Sequence, residues 1–248
     1  MGQQDGGKLS PLWHACGITV PDDKSTGGVA HVEVPSQGYT EEECYRRLRD
    51  AIIDGTLMPS QRLVEMDLAR WLGASRATIR TVLARLEQEG LVERERYRGA
   101  RVRHVSHEEA VEILEVRMAL ECLIARYAAL RATDEDVRRL EDIISWMRRQ
   151  YEGNDLLSYS DGNARLHRTI AEISRHNTAK RLLDTLNSQS VRYQYRTILA
   201  PNRSAASMQE HERIVDAIRR RDPDSAEQAM RVHLSQVCDT LRSMRQGF

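Results

Sequence analysis

The sequence has few aromatic side chains, no excess of either charge and no long apolar run. It holds one Phe among 248 residues, while Leu, Ala, Arg and Glu recur at helical spacing, which predicts an α-rich protein. Basic and acidic residues number 37 each, so overall charge selects no acidic partner and any basic surface must be local. No apolar run approaches the roughly 18–20 residues that span a bilayer, and no basic segment precedes an apolar one near residue 1. These absences predict a cytoplasmic protein with no membrane segment and no signal peptide.

Cysteine is also scarce, and the wide spacing of the cysteines argues against a disulfide framework. The residues Cys16, Cys44, Cys122 and Cys238 lie far apart and form no CxxC pair. Two of them fall inside helical patterns. This distribution indicates reduced thiols in a cytoplasmic protein rather than a disulfide framework.

Composition and periodicity divide the chain into three parts. Residues 1–38 contain GQQDGG, PDDKSTGG and VPSQG, which are turn-forming stretches without sustained periodicity and predict a disordered extension. Residues 39–105 contain three helical segments, and the stretch LVERERYRGARVRHV then alternates in the manner of a two-stranded hairpin. Residues 106–248 show helical patterns only, which predicts an all-helical domain.

The helices of the third part are bounded by turn residues and short connections. The predicted helices cover 107–131, 134–152, 155–175, 177–199, 205–220 and 223–245. Short connections favour antiparallel neighbours, hence a helical bundle. Asn177 is expected to cap a helix that starts at Thr178.

The stretch LARWLGASRATIRTVLARLEQEGLV has the features that a helix-turn-helix requires. Two crossing helices need a small residue where they meet, a turn residue that tolerates positive φ, and an inward aliphatic residue on the second helix. Ala69, Gly73 and Ile79 meet these needs in order. Two ordinary helices of a generic α domain are the alternative, but the hairpin that follows supplies a wing. The predicted fold is therefore mainly α: an N-terminal winged helix-turn-helix that binds DNA, followed by an antiparallel all-α bundle.

Polar and basic residues mark the surface of this motif that would face DNA. Ser75, Arg76, Thr78 and Arg80 lie at the exposed start of the third helix, where N–H groups and side chains can meet phosphates or base edges. Arg85, farther along, is expected in an ion pair. Four arginines of the hairpin can follow a phosphate backbone or enter a minor groove. They are Arg96, Arg98, Arg101 and Arg103.

The same stretch resembles the GntR family of bacterial regulators. The resemblance is carried by LMPSQRL, ARWLGASRATIRTVLARLEQEGLV and RGARV. The chain departs from the family's pattern at Ser60, where the pattern has Gly, and at Thr81, where Glu is usual. The resemblance implies operator contacts from the third helix and from the tip of the wing. These contacts would come from Arg76, Thr78, Arg80 and Gly99.

Three histidines lie on the apolar faces of three different bundle helices. His167 follows Asn163 by four residues on one face, and His211 and His233 belong to two later helices. A lone inward histidine is usually a hydrogen-bonded core residue, and this remains the alternative. However, buried imidazoles need partners, and facing helices can gather them around one metal ion.

Residues 107–245 resemble the FCD ligand-binding domain of FadR-type GntR regulators. The resemblance is carried by EILEVRMALE, NARLHRTIAEISRHN and HERIVDAIRRRDPDSAEQAMRVHL. In metal-binding members the ligands are an Asp four residues before the first His, and two later His. By this motif the ligands here are Asn163, His167, His211 and His233, with an uncharged amide in place of the Asp. Three imidazoles and an oxygen suit Zn²⁺, with Ni²⁺ or another divalent ion as the alternative.

The resemblance also implies a small carboxylate effector, such as an organic or sugar acid, beside the metal. Arg117 is placed to clamp such an anion bidentately, although an ion pair with Glu121 four residues later is an equal alternative. Arg196 is a further candidate, with Arg192 and Tyr195 on the same helix.

Together these features predict a DNA-binding transcriptional regulator, a repressor, that acts on a palindromic operator as a homodimer and responds to an effector. Two alternatives belong to other classes. One is an architectural DNA-binding dimer without an effector. The other is a metal-dependent enzyme whose histidines activate water, although no suitably placed general base accompanies them in the sequence.

Overall fold

The structure is a computed structural model that describes residues 38–95, 99–198, 200 and 203–244. The predicted disordered extension, residues 1–38, lies outside the described residues except for Gly38. The chain divides into two compact units, and the boundary along the sequence lies between Val102 and Arg103. The sequence analysis placed this boundary after residue 105. None of the described helices is long and apolar enough to cross a membrane.

The first unit combines three helices with a small antiparallel sheet. Its elements are α1 (Glu41–Ile53), β1 (Arg62–Leu63), α2 (Glu65–Leu72), α3 (Arg76–Gln88), β2 (Val92–Glu95) and β3 (Gly99–Val102). The strand order is β1-β3-β2, so the predicted hairpin is present and a third, two-residue strand pairs with its outer edge. This third strand was not predicted.

Local sequence explains where these helices begin and end. Thr40 and Glu43 form a capping box at the start of α1, which satisfies two backbone N–H groups reciprocally. Gly73 ends α2 with φ at 58°, a left-handed conformation that glycine adopts without steric cost. Ser75 then accepts a hydrogen bond from the Thr78 N–H and starts α3. The turn between α2 and α3 is therefore fixed by the residues that the sequence analysis identified.

The core of this unit lies where α1, α2, α3 and the sheet meet. Ile79 is fully buried, as predicted for the inward aliphatic residue of α3. Leu68, Leu72 and Leu86 belong to the same cluster. Outside the core, Arg85 donates to Glu42 at 2.6 Å, which confirms its predicted ion pair. The winged helix-turn-helix prediction is confirmed.

In the described part of the second unit, six helices form a bundle. They are α4 (His107–Arg131), α5 (Asp134–Glu152), α6 (Leu156–Ser174), α7 (Asn177–Ile198), α8 (Arg203–Arg219) and α9 (Pro223–Ser243). Helix α4 packs against α6, α7, α8 and α9, so it occupies the centre of the bundle. The all-helical fold is confirmed, and the bounds of α4 and α5 are those predicted.

One predicted cap is wrong. Helix α7 begins at Asn177 itself, and the ring of His176 accepts the hydrogen bond from the Ala179 N–H at 3.3 Å. Imidazole nitrogen therefore caps this helix, where the sequence analysis expected the amide of Asn177. The described cysteines Cys44, Cys122 and Cys238 are buried free thiols.

Candidate functional site

The start of α3 presents the polar and basic residues predicted to face DNA. Ser75, Arg76 and Arg80 are exposed and Thr78 is half-buried. The fork of Arg80 donates to the Glu65 carboxylate of α2 from Nε at 3.1 Å and from a terminal nitrogen at 2.8 Å. Arg76 approaches the same carboxylate at 3.7 Å. The hydrogen bond from Arg80 lowers the pKa of the Glu65 carboxyl, so this carboxylate is ionised and holds both guanidinium groups.

An arginine of the hairpin also contacts α3. Arg94 of β2 donates to the backbone oxygen of Arg80 at 2.9 Å. Gly99 lies at the start of β3 with φ at 91°, and a Cβ added there would meet no atom within 4 Å. The conformation, rather than lack of space, therefore favours glycine at this position. Arg98, predicted to contact DNA, and Arg96 lie outside the described residues.

The other two hairpin arginines have protein partners. Arg101 pairs with Glu93 at 3.2 Å. Arg103 follows the end of β3 and pairs with Glu109. Their charges are therefore partly offset within the protein.

The three predicted histidines converge in the second unit. His167 comes from α6, His211 from α8 and His233 from α9. One ligand atom from each lies within 4.8 Å of the others, and Nε2 of His167 is 3.4 Å from Nε2 of His211. His211 and His233 are buried, at 0% and 3% exposure. The helical-face argument from sequence thus identified three side chains that share one point in the bundle.

Two buried carboxylates orient two of these imidazoles. The Glu121 carboxylate lies 2.5 Å from Nδ1 of His167, and the Glu210 carboxylate lies 2.7 Å from Nδ1 of His233. Because an ionised carboxylate only accepts hydrogen bonds, each Nδ1 carries the proton. In a neutral ring, a proton on Nδ1 leaves the lone pair on Nε2 free, which is the arrangement that a metal-binding histidine adopts.

Each of these carboxylates is itself held by an arginine. Arg117 donates to Glu121 at 2.8 Å, and Arg203 donates to both oxygens of Glu210 at 3.1 and 2.7 Å. Burial raises the pKa of Glu121, but Arg117 and His167 outweigh it and bring the pKa to about 2. Burial raises the pKa of Glu210, and Arg203 opposes that rise. The sequence analysis therefore missed the contacts of these two carboxylates with the histidines.

Burial also sets the charge of two of the imidazoles. It lowers the pKa of His211 and of His233 well below the ordinary value, and the neighbouring imidazoles and Arg203 lower both further. Both rings are therefore neutral at physiological pH. Nδ1 of His211 is buried and has no hydrogen-bond partner among the described residues, so this ring differs from the other two.

The donor set fits a divalent ion. Two imidazole nitrogens 3.4 Å apart match the separation of roughly 3.4 Å between neighbouring ligands of a tetrahedral ion with bonds of about 2.0–2.1 Å. In a neutral His167 ring without an ion, the Nε2 lone pair faces Nε2 of His211. Nε2 of His211 can donate a hydrogen bond to that lone pair only if Nδ1 of His211 is unprotonated, and this buried Nδ1 has no partner among the described residues. An ion between these rings would accept both Nε2 lone pairs, so neither ring would have to donate to the other.

The remaining predicted residues are placed as follows. Asn163 is half-buried on α6, one turn before His167. Arg117 is buried and forms the ion pair with Glu121 that the sequence analysis held as its alternative role. Arg196 belongs to α7, but its side chain lies outside the described residues. Arg203 and Glu210 were not predicted. Their spacing of seven residues, two turns of α8, is the one signal that placed them together in the sequence.

Two protein-family models match the chain. One, described as "Bacterial regulatory proteins, gntR family", covers residues 40–102. The other, described as "FCD domain", covers residues 112–236. The two matches fall on the two structural units.

Several curated proteins are similar over most of their length. The HTH-type transcriptional repressor RspR of Escherichia coli (strain K12) is 25% identical over 83% of this chain and 90% of its own. The HTH-type transcriptional repressor NanR of Cronobacter sakazakii is 30% identical over 83% of this chain and 85% of its own. A putative L-lactate dehydrogenase operon regulatory protein of Escherichia coli (strain K12) is 31% identical over 81% of this chain and 86% of its own.

Solved structures share the fold. Escherichia coli McbR/YncC aligns with a TM-score of 0.68 at 19% identity, over 82% of this chain and 96% of that chain. A putative GntR transcriptional regulator from Rhodococcus sp. RHA1 aligns with a TM-score of 0.66 at 23% identity, over 83% and 99%. At such identities this likeness establishes the fold alone.

Proposed function

The chain belongs to the GntR family of bacterial regulatory proteins and carries an FCD domain, and from this premise we propose that it is a repressor whose operator binding responds to a small carboxylate held at a divalent metal centre. Membership of the family makes the chain a DNA-binding transcriptional regulator. Since its relatives are regulators and not enzymes, the alternative of a metal-dependent enzyme is wrong.

One observation carries the proposal: three imidazoles meet in the core of the FCD domain with ligand atoms within 4.8 Å. Zn²⁺ is the ion that best suits three imidazoles and an oxygen, and Ni²⁺ is the alternative. His167, His211 and His233 would hold it, and Asn163 would offer its amide oxygen. Bound there, the ion supplies a Lewis-acid position for a carboxylate oxygen.

Two arginines are candidates to bind the effector. Arg117 retains one N–H, at Nε, that has no partner among the described residues, although its outer nitrogen is engaged by Glu121. Arg196 follows from its place on α7. The name of one relative supports a small acid as effector, since it refers to an L-lactate dehydrogenase operon and lactate is a hydroxy acid.

Operator contacts are assigned to the start of α3 and to the wing. Ser75 and Thr78 offer hydroxyls and N–H groups to phosphates, and Arg76 and Arg80 offer guanidinium groups to phosphates or guanine edges. Gly99 lets the wing approach the duplex closely, and Arg98 would enter the adjacent groove. The names of two relatives, both repressors, favour repression.

An exposed apolar stripe on α4 supports a homodimer on a palindromic operator. Val116, Leu123 and Leu130 are 53%, 36% and 57% exposed and recur every seventh residue. Residues at this spacing lie on one side of a helix, in the manner of a helix–helix seam. Burying them against a second copy would remove apolar surface from water and place two winged domains on two half-sites.

The test combines zinc content, melting temperature and operator binding. We expect wild-type protein to bind zinc and His211→Ala to lose it by elemental analysis, while the exposed control His104→Ala retains it. At least one organic or sugar acid should raise the melting temperature of the zinc-loaded protein and change its operator affinity. Equal zinc in His211→Ala contradicts the metal centre. Zinc binding with no response to any acid favours the architectural dimer.

A further inference from the structure

Four buried charges surround the imidazoles, and their sum is zero. Arg117 pairs with Glu121, and Arg203 pairs with Glu210. All four residues are more than nine-tenths buried. An imidazole that binds a metal does so in its neutral form. The described buried groups therefore offset none of the charge of a divalent ion at the histidines.

Neighbouring sequence does not supply the missing negative charge. Asn163, one turn before His167 on α6, is neutral. The stretch 190–202, SVRYQYRTILAPN, contains two arginines and no acidic residue. Among the described buried groups and this stretch, a divalent ion at this point would keep an excess of two positive charges, and a buried charge without a counter-charge is costly.

The two buried arginines each retain a free donor. Nε of Arg117 and Nε of Arg203 are buried without a hydrogen-bond partner among the described residues. They come from different helices, α4 and the start of α8. A guanidinium N–H is a strong donor to anionic oxygen, and leaving it unpaired in a protein interior costs free energy.

Resting on the metal centre of the proposed function, we propose that the effector is a small dicarboxylate, a dianion, rather than a monocarboxylate. One carboxylate binds at the ion and the second accepts from a buried guanidinium N–H. The dianion brings the buried charge to zero, whereas a monocarboxylate leaves one positive charge without a counter-ion.

The test compares acids that differ in charge but not in size. Full-length protein loaded with Zn²⁺ is titrated by calorimetry with dicarboxylates of three to six carbons, such as malonate, succinate, malate and glutarate. Each is paired with its own monoamide, for example succinate with succinamate. We expect the best dicarboxylate to bind at least about tenfold more tightly than its monoamide.

A charge added at Asn163 tests the reason for this preference. Asn163→Asp should reduce the ratio of dicarboxylate to monoamide affinity by about tenfold, because the new carboxylate takes the place of one effector charge. The control is Asn154→Asp, which adds the same charge at an exposed position outside the helices. Zinc content and melting temperature verify that both variants fold.

The possible results separate the two levels of the proposal. If no acid binds the zinc-loaded wild-type protein, both the proposed function and this inference are overturned. If a monoamide binds as tightly as its dicarboxylate, an effector site exists and the dianion is wrong. A wild-type preference for dicarboxylates that persists in Asn163→Asp overturns the charge balance argued here.

Discussion

At the scale of single residues, the histidine cluster depends on partners that are not histidines. Glu121 contacts both His167 and Arg117 from the interior of the bundle. Removing one member of a buried ion pair costs more than the pair itself contributes, because the remaining charge is left without a partner. Glu121 is therefore a residue whose loss should be felt in stability as well as in metal binding.

Glu121→Gln should lower the free energy of unfolding of the metal-free protein by about 3 kcal/mol, because Arg117 is then buried without a counter-charge. Urea unfolding measures this. The control is Glu115→Gln on the same helix, whose arginine partner Arg242 is half-exposed and which should cost less than about 1 kcal/mol.

The pH dependence of this effect follows from the sign of the shift. The pKa of Glu121 falls from 4.5 to about 2 on folding, so its contribution to stability is complete above the unfolded pKa and is lost as pH falls through the folded one. The difference in free energy of unfolding between variant and wild type should therefore be complete above about pH 4.5 and shrink as the pH falls towards 2. Equal losses in both glutamine variants would contradict this account.

Glu65 is the corresponding residue on the DNA-binding unit, because one carboxylate holds both Arg80 and Arg76. Glu65→Gln frees both guanidinium groups and removes a negative charge that faces the phosphates. Affinity for non-operator DNA should rise about threefold to tenfold, and the ratio of operator to non-operator affinity should fall.

Fluorescence anisotropy at several salt concentrations measures both affinities. Asp67→Asn is the matched control, since Asp67 lies on the same helix and pairs with Arg70 rather than with α3. If Glu65→Gln keeps the wild-type ratio of operator to non-operator affinity, the Glu65 carboxylate does not restrain Arg76 and Arg80.

At the scale of elements, α4 has a buried face that contributes to the core of the bundle and an exposed apolar stripe of Val116, Leu123 and Leu130. If the stripe is the dimer seam, introducing charge there must separate the subunits. The double variant Leu123→Glu, Leu130→Glu should sediment as a monomer of 28.4 kDa, because two buried carboxylates would each need a counter-charge at the seam.

Analytical ultracentrifugation gives the mass, and Leu157→Glu serves as the control because Leu157 is similarly exposed on α6. The monomer should also lose affinity for a palindromic operator while retaining contact with a single half-site. A dimer that survives the double variant would place the seam elsewhere.

Sequence was most informative where local chemistry decides the structure. Ser106 and Thr133 cap α4 and α5, and helix bounds follow directly from such caps. Strand β1 was missed because two residues carry no periodicity. The glycine of the family pattern at position 60 acquires a reason, since Ser60 adopts φ of 63°, a conformation in which glycine is unstrained and serine is not.

From the sequence, the candidate site could be predicted only to the level of which helical face carries each residue. Each histidine could be assigned to an inward face, but the contacts of Glu210 with His233 and of Arg203 with Glu210 depend on how α8 packs on α9. Long-range pairing of this kind leaves little local signal. From its position in the sequence, Arg117 was compatible with two roles, a clamp for the effector or an ion pair with Glu121. The packing of the bundle forms the ion pair.

At the scale of the whole molecule, each unit has its own core, one around Ile79 and Leu86 and one around Ile124 and Ile170. All three histidines belong to the second unit. An ion bound there stabilises the unit that binds it, by an amount set by its concentration relative to its dissociation constant.

Differential scanning calorimetry should therefore resolve two unfolding transitions, of which a chelator shifts one. At a zinc concentration of about a hundred times the dissociation constant, the stabilisation is about 2.7 kcal/mol, so stripping the metal should lower that transition by roughly 5–10 °C. His211→Ala should show the lower value with or without zinc. Ile79→Ala identifies the other transition, because it opens a cavity in the first core. A chelator that moves the transition sensitive to Ile79→Ala would place the ion outside the helical unit and refute the histidine centre.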